Sequence, residues 1–182
     1  RDVAIDAGRF NDGYFSYVAS FGAFTKCSYA TPRSMKRLLG HLAYVLEGIR
    51  DITAHEARPM TVEADDCTYT GEYVFGAFSN TVSIGGMLHY DSALVDMNDG
   101  KLEMLLIRKP ENLGEVRRLV HALGSSDFDD PLFDFAASSA FHLKTEQGFD
   151  WYVDGERAAG GTAVEIACVK SAVRITVPAR ND

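Results

Sequence analysis

At 182 residues, with 46% hydrophobic and 24% charged positions, the chain has the size and composition of one sizeable globular domain. Its formal net charge of -8 argues against nucleic acid, whose binding needs basic surface to replace condensed counterions, and gives no general attraction to anionic lipid. No apolar run approaches the ~20 residues of a membrane span. The opening Arg1-Asp2-Val3-Ala4-Ile5-Asp6 lacks both an initiator Met and the basic-then-apolar arrangement of a signal peptide, as a piece cut from a longer polypeptide would. Cys27, Cys67 and Cys168 are odd in number and lack CxxC spacing; they read as buried small hydrophobes in a reducing cytosol rather than as disulfides or zinc ligands.

Val3 to Asp6 and Tyr14 to Ser20 have strand character, with Asn11-Asp12-Gly13 as hairpin chemistry between them. Leu38, Leu39, Leu42, Val45, Leu46 and Ile49 then form an apolar stripe at helical spacing, which Thr31 or Ser34 can cap. Met60 to Ala64 and Thr68 to Phe78 alternate as antiparallel strands around an Asp65-Asp66 turn. Thr81 to Leu94 gives few signals and reads as a long irregular connection. A strand over Lys101 to Ile107 precedes a second helix beginning at Pro110 to Asn112. That helix would bury Leu113, Val116, Leu119, Val120 and Leu123, and stop at Gly124. Five short strands follow: Leu132 to Ala137, Ala140 to Thr145, Phe149 to Val153, Thr162 to Cys168 and Ala172 to Val177. Many short strands and two main helices predict a mainly β (α+β) fold, an antiparallel β-sandwich or open barrel, as a single domain over 1–182.

Several catalytic signatures are missing: GxxxxGK[ST], a GxGxxG after a strand, GxSxG and HExxH. The five histidines are dispersed and read as surface or packing residues. Two stretches could carry chemistry. Trp151-Tyr152-Val153-Asp154-Gly155-Glu156 is a β-prone run that ends in two acids around a glycine. It is either a hairpin turn with solvated acids or a strand end that holds a catalytic acid or base. Asp96-Met97-Asn98-Asp99-Gly100-Lys101 sets two carboxylates three apart beside a glycine turn. It is either a solvated loop or a set of hard oxygen ligands for Mg²⁺; it is not an EF-hand, because Val95, Met97 and Leu106 fall where that loop needs acids. Arg33, Lys36 and Arg37 could meet phosphates or lipid headgroups, or simply be a solvated helix start.

The order of these pieces resembles the C-terminal domain of the soluble bacterial diacylglycerol kinase family. The matching residues are Asn11-Asp12-Gly13-Tyr14-Phe15 with Ala19-Ser20-Phe21-Gly22, Lys36 with Leu39 to Tyr44, Asn80 with Gly85-Gly86, Asp99-Gly100-Lys101-Leu102, Asp154-Gly155-Glu156 and Val177-Pro178. The chain departs from the family's prolines at His89-Tyr90-Asp91 and near Val169. The resemblance implies an ATP-dependent lipid kinase acting on diacylglycerol, in which an N-terminal nucleotide-binding domain, not found in this chain, closes over a β-sandwich. It implies Glu156 as the catalytic acidic residue and Asp154 as the group that orients it or helps bind metal. It also implies a structural Mg²⁺ on Asp96, Asp99 and the Lys101 carbonyl. By the same resemblance the full protein is cytoplasmic and peripheral to the membrane, with a lipid substrate and a homodimer among its partners, and this fragment alone is inactive. The alternatives are a kinase for a sphingoid base, ceramide or another lipid alcohol, and a non-catalytic sandwich used for binding.

Overall fold

A computed structural model describes residues 1–23, 52, 54–85, 88–125 and 127–178. The helix expected around Leu38 to Ile49, and the Arg33, Lys36 and Arg37 cluster at its start, lie outside these residues. The described strands are β1 (Asp2–Phe10), β2 (Gly13–Phe15), β3 (Val18–Gly22), β4 (Arg58–Glu63), β5 (Thr68–Ser79), β6 (Ser83–Ile84), β7 (Leu88–His89), β8 (Leu102–Arg108), β9 (Phe133–Ser138), β10 (Ala140–Thr145), β11 (Asp150–Val153), β12 (Glu156–Ala159) and β13 (Ala163–Thr176). One long helix, α1 (Leu113–Ser125), stands among them.

All strand pairs of the main sheet are antiparallel, in the order β12-β11-β3-β5-β4-β10-β13-β1-β2, with β8 and then β9 branching from β5. The branch has a simple origin. Thr68 to Tyr73 of β5 pair with β4, whereas Phe75 to Ser79 pair with β3. The β5–β8 register slips between Tyr73 and Phe75, where that handover occurs. A bulge at such a point bends a strand and increases its twist, and the sheet curls into the open barrel expected from the sequence.

The two faces of β5 and β8 bury different cores. Tyr73, Phe78, Leu102, Met104 and Leu106 face the inside of the curl with Phe10, Phe21, Phe141 and Trp151. Val74, Ala77, Leu105 and Ile107 face the other way, toward α1 and the 84–95 connection. Because both faces are covered, β8 is buried along nearly its whole length, and its residues are apolar apart from Glu103 and the terminal Arg108.

Several elements differ from the sequence expectation. The run from Tyr14 to Ser20 is two strands, broken at Ser16-Tyr17. The last two expected strands are one fourteen-residue strand, β13, which spans two partners by pairing with β1 along most of its length and with β10 at its start. The 81–94 connection contains the small β6–β7 hairpin. Leu113, expected in the buried helix face, is 79% exposed, whereas Leu119 and Leu123 are buried as expected and Ala122 joins them. The periodicity began one turn too early because position 113 opens the helix, before it reaches the sheet.

Candidate active site

Trp151 is the foundation of the acidic hairpin. It is fully buried, and its ring lies 5.0 Å from that of Phe10 and 4.9 Å from that of Phe21. A Cβ at Gly160 would sit 2.2 Å from its indole, so glycine is needed there for the backbone to close over the ring. Burial of an indole this size contributes at least ~2–3 kcal/mol, enough to hold β11 in one place. From that anchor β11 runs to a two-residue turn, Asp154-Gly155, with Val153 paired to Glu156 on β12. Both turn residues have positive φ, 49° and 89°, as a hairpin of this length requires.

The turn therefore exists, but its first acid is fully engaged by hydrogen bonds. Asp154 Oδ2 accepts from Ser16 N at 2.8 Å and Ser16 Oγ at 3.1 Å. Its Oδ1 accepts from Tyr17 N at 3.0 Å and Val18 N at 2.9 Å. The Asp154 amide donates to Val18 O at 2.8 Å. A carboxylate has about four lone-pair sites, and all are occupied. Asp154 is thus a clamp on the break between β2 and β3; to ligate a metal it would have to release some of these donors. Glu156 is exposed at the first position of β12, and its side chain makes no hydrogen bond or ion pair among the described residues. Its carboxylate is available to a substrate.

The second predicted group is brought together as a turn. Asp96 Oδ1 accepts from Asn98 N at 3.0 Å, and Asp99 Oδ1 accepts from Lys101 N at 2.8 Å. This leaves one carboxylate oxygen of each acid, and the Lys101 carbonyl, for another ligand. The turn is held from below by Asp6, which the sequence did not single out. Asp6 is fully buried, and its carboxylate accepts from Gly100 N at 2.7 Å and Ser171 N at 2.6 Å. Asn80 Nδ2 donates to the carbonyls of Asp6 and Met97 at 2.8 and 3.2 Å.

Glu103 is a further acid missed by sequence reading, because it stands in an otherwise apolar strand. Its side chain is buried, and both oxygens lack a hydrogen-bond partner among the described residues. Burial, with the charges of Asp99 and Asp96 adding to it, pushes its carboxyl up to about 8. Burial, and then Asp6, likewise push the nearby Cys168 thiol up to about 12. Both groups are therefore held in their neutral forms at pH 7 beside the acids of the 96–101 turn, where Lys170 lies against Gly100.

Two carboxylates and a backbone carbonyl are the donor types that a hard cation takes. No cluster of three or more His, Cys, Asp and Glu side chains close enough to hold a metal occurs among the described residues. A cation here would rely on two carboxylates, a carbonyl and retained waters, which is the habit of Mg²⁺.

The two groups share one end of the sheet. Val18, clamped by Asp154, pairs with Ser79, and Ser79 pairs on its other side with Glu103, just after the 96–101 turn. Two strand spacings, roughly 10 Å, separate Val18 from Glu103. Tyr17 extends the same edge: its hydroxyl donates to Ser83 O at 3.0 Å and accepts from Gly85 N at 2.7 Å.

This fold is a curled, mainly antiparallel β-sandwich-like domain. The profile of the family described as the YegS C-terminal NAD kinase beta sandwich-like domain matches residues 18–177, and the chain belongs to that family. It is 29% identical to a diacylglycerol kinase of Bacillus subtilis over 84% of this chain and 50% of that protein. It is 24% identical to a diacylglycerol kinase of Staphylococcus aureus over 86% of this chain and 49% of that protein. A crystal structure described as a diacylglycerol kinase from Bacillus anthracis superposes with a TM-score of 0.65 at 16% identity, covering 96% of this chain and 53% of that one. The chain therefore spans about half the length of the curated relatives it matches. Among the described residues no helix is long and apolar enough to cross a membrane.

Proposed function

We propose that this chain is the acceptor-side domain of an ATP-dependent lipid kinase that phosphorylates the free hydroxyl of diacylglycerol. The observation that carries the reading is the acidic hairpin: Asp154 is spent on fixing the turn, while Glu156, two residues on, is left exposed and unpaired on a rigid strand. The curated relatives named diacylglycerol kinase supply the choice of acceptor.

In this reading Glu156 takes the proton of the acceptor hydroxyl as its oxygen attacks the γ-phosphorus of ATP and the bond to the β-phosphate oxygen breaks. Phosphoryl transfer asks the protein mainly for positioning and charge neutralisation, and a strand-end carboxylate meets the first demand. Asp154 orients Glu156 through the backbone. Asp96, Asp99 and the Lys101 carbonyl would hold Mg²⁺, which when bound neutralises the acidic turn and braces this end of the sheet. The nucleotide would be held by a second domain, with the membrane surface presenting the lipid. Ceramide and sphingoid bases remain the competing acceptors.

The test is ATP-dependent phosphorylation of diacylglycerol, ceramide and sphingosine by the full-length protein, beside its Glu156→Gln variant. Turnover on diacylglycerol that falls 10²-fold or more in the variant, a usual scale for loss of a general base, is the expected result. A variant with near-normal turnover refutes the assignment of the base. A preference for ceramide or sphingosine replaces the acceptor.

A further inference from the structure

Two turns that are far apart in sequence meet through a single residue. The backbone amide of Tyr17 donates to Asp154 Oδ1 at 3.0 Å, in the hairpin that carries Glu156. Its phenol reaches the opposite way, donating to Ser83 O at 3.0 Å and accepting from Gly85 N at 2.7 Å. We infer that Tyr17 is a positioning residue: it fixes the 83–85 turn against the acidic hairpin, so that the two form one wall of the acceptor site. The inference rests on the kinase reading above and adds a residue to it.

Among the described residues, the 83–89 segment is held by a short strand pair, by the buried Leu88 and by the Tyr90 amide, which donates to Val82 O at 2.9 Å. The β6–β7 pair has only two residues on each side, Ser83 with His89 and Ile84 with Leu88. A two-stranded hairpin of this length is not stable on its own. Ile84 is buried at its base, and the Thr81 side chain bonds Ser83 from within the same loop at 3.3 Å. The Tyr17 phenol brings a strap from the β2–β3 break, and it holds the β6 side of the hairpin at Ser83 and Gly85. Phenylalanine would keep the ring and lose both bonds.

The outer side of the turn is open. Gly85 has φ of 60°, and a Cβ built there meets nothing within 4 Å among the described residues. Gly155, at 89°, is open in the same sense. Two left-handed glycine turns with unobstructed backbone therefore lie on either side of Tyr17, whose residue is itself 38% exposed. Backbone that a ligand approaches closely has this character. Since the phenol is not a core group, its two bonds serve the relative placement of the turns more than the stability of the domain.

The experiment compares Tyr17→Phe and Glu156→Gln in the full-length protein, with diacylglycerol in mixed micelles as acceptor. Tyr17→Phe is expected to lower kcat/KM for the lipid about 10-fold, the equivalent of roughly 1.4 kcal/mol, through a raised lipid KM. The KM for ATP and the melting temperature should not move. Amide exchange at Gly85 should accelerate by a similar factor in the same variant. Wild-type lipid kinetics in Tyr17→Phe, with Glu156→Gln inactive, would overturn this inference and leave the kinase reading intact. An active Glu156→Gln would instead sink the reading itself. Equal losses toward ATP and lipid, or a fall of several degrees in melting temperature, would overturn the positioning role in favour of general support of the fold.

Discussion

Asp154→Ala separates a clamp from a catalytic acid. In the folded protein the carboxylate accepts four hydrogen bonds, from Ser16 N, Ser16 Oγ, Tyr17 N and Val18 N. Each is worth ~0.5–1.5 kcal/mol net, and bonds to a charged acceptor lie at the upper end. Three of the four donations are exposed and water can replace them, whereas that from Val18 is half-buried. Four bonds on one carboxylate are not independent, so the sum is discounted to about 2–3 kcal/mol. Alanine at a φ of 49° adds about 1 kcal/mol of left-handed strain. The total, about 3–4 kcal/mol, should lower the melting temperature of a domain of this size by roughly 6–15 °C. Asp154→Asn is the control. Asparagine tolerates the left-handed region and keeps one acceptor oxygen, so about half the loss is expected. Thermal melting followed by circular dichroism reads both variants. An Asp154→Ala protein that melts with the wild type would refute the clamp and return the carboxylate to a catalytic or ligand role.

Glu156→Gln should melt as the wild type does, because its side chain is exposed and unpaired, so its lost turnover can be assigned to chemistry; the same melting experiment checks this. Asp99→Ala should erase any Mg²⁺-dependent rise in melting temperature, since a ligand stabilises only through the state it binds; identical Mg²⁺ responses in variant and wild type would rule out that turn as the site. Asp65 is held below the usual carboxylate range, chiefly by the Ser139 amide at 2.7 Å. A depressed carboxyl stabilises above its unfolded pKa and loses that contribution as pH falls through the folded one. Asp65→Asn should therefore cost stability at pH 7 and progressively less in acid, and melting temperatures that differ equally at both extremes would contradict the assignment.

Much of the fold was legible locally. Alternation marked β4 and β5, and Asn11-Asp12 and Asp154-Gly155 marked two hairpin turns whose first residues indeed take positive φ. The break at Ser16-Tyr17 was not legible, because Tyr14 to Ser20 has no breaker residue and the interruption comes from a carboxylate that captures three consecutive amides. The merging of the last two expected strands was hidden for the opposite reason. Ser171 has φ of 53° and looks like a break, but Asp6 accepts its amide and pairing with β1 continues past it.

What the sequence determined by itself is the β-rich class, the turn positions and the order of acidic motifs along the chain, since these follow from side-chain periodicity and from residues that tolerate special backbone angles. Tertiary structure decided which acids are occupied and which are available. Asp154 reaches across 138 residues to Ser16, Asp6 across 94 to Gly100, and the Tyr17 phenol across 68 to Gly85. Glu103 is buried because β8 is covered on both faces, a property of the curled sheet rather than of its neighbours in sequence. A carboxylate's role depends on whether remote backbone donors fill its lone pairs, and only folding brings those donors to it.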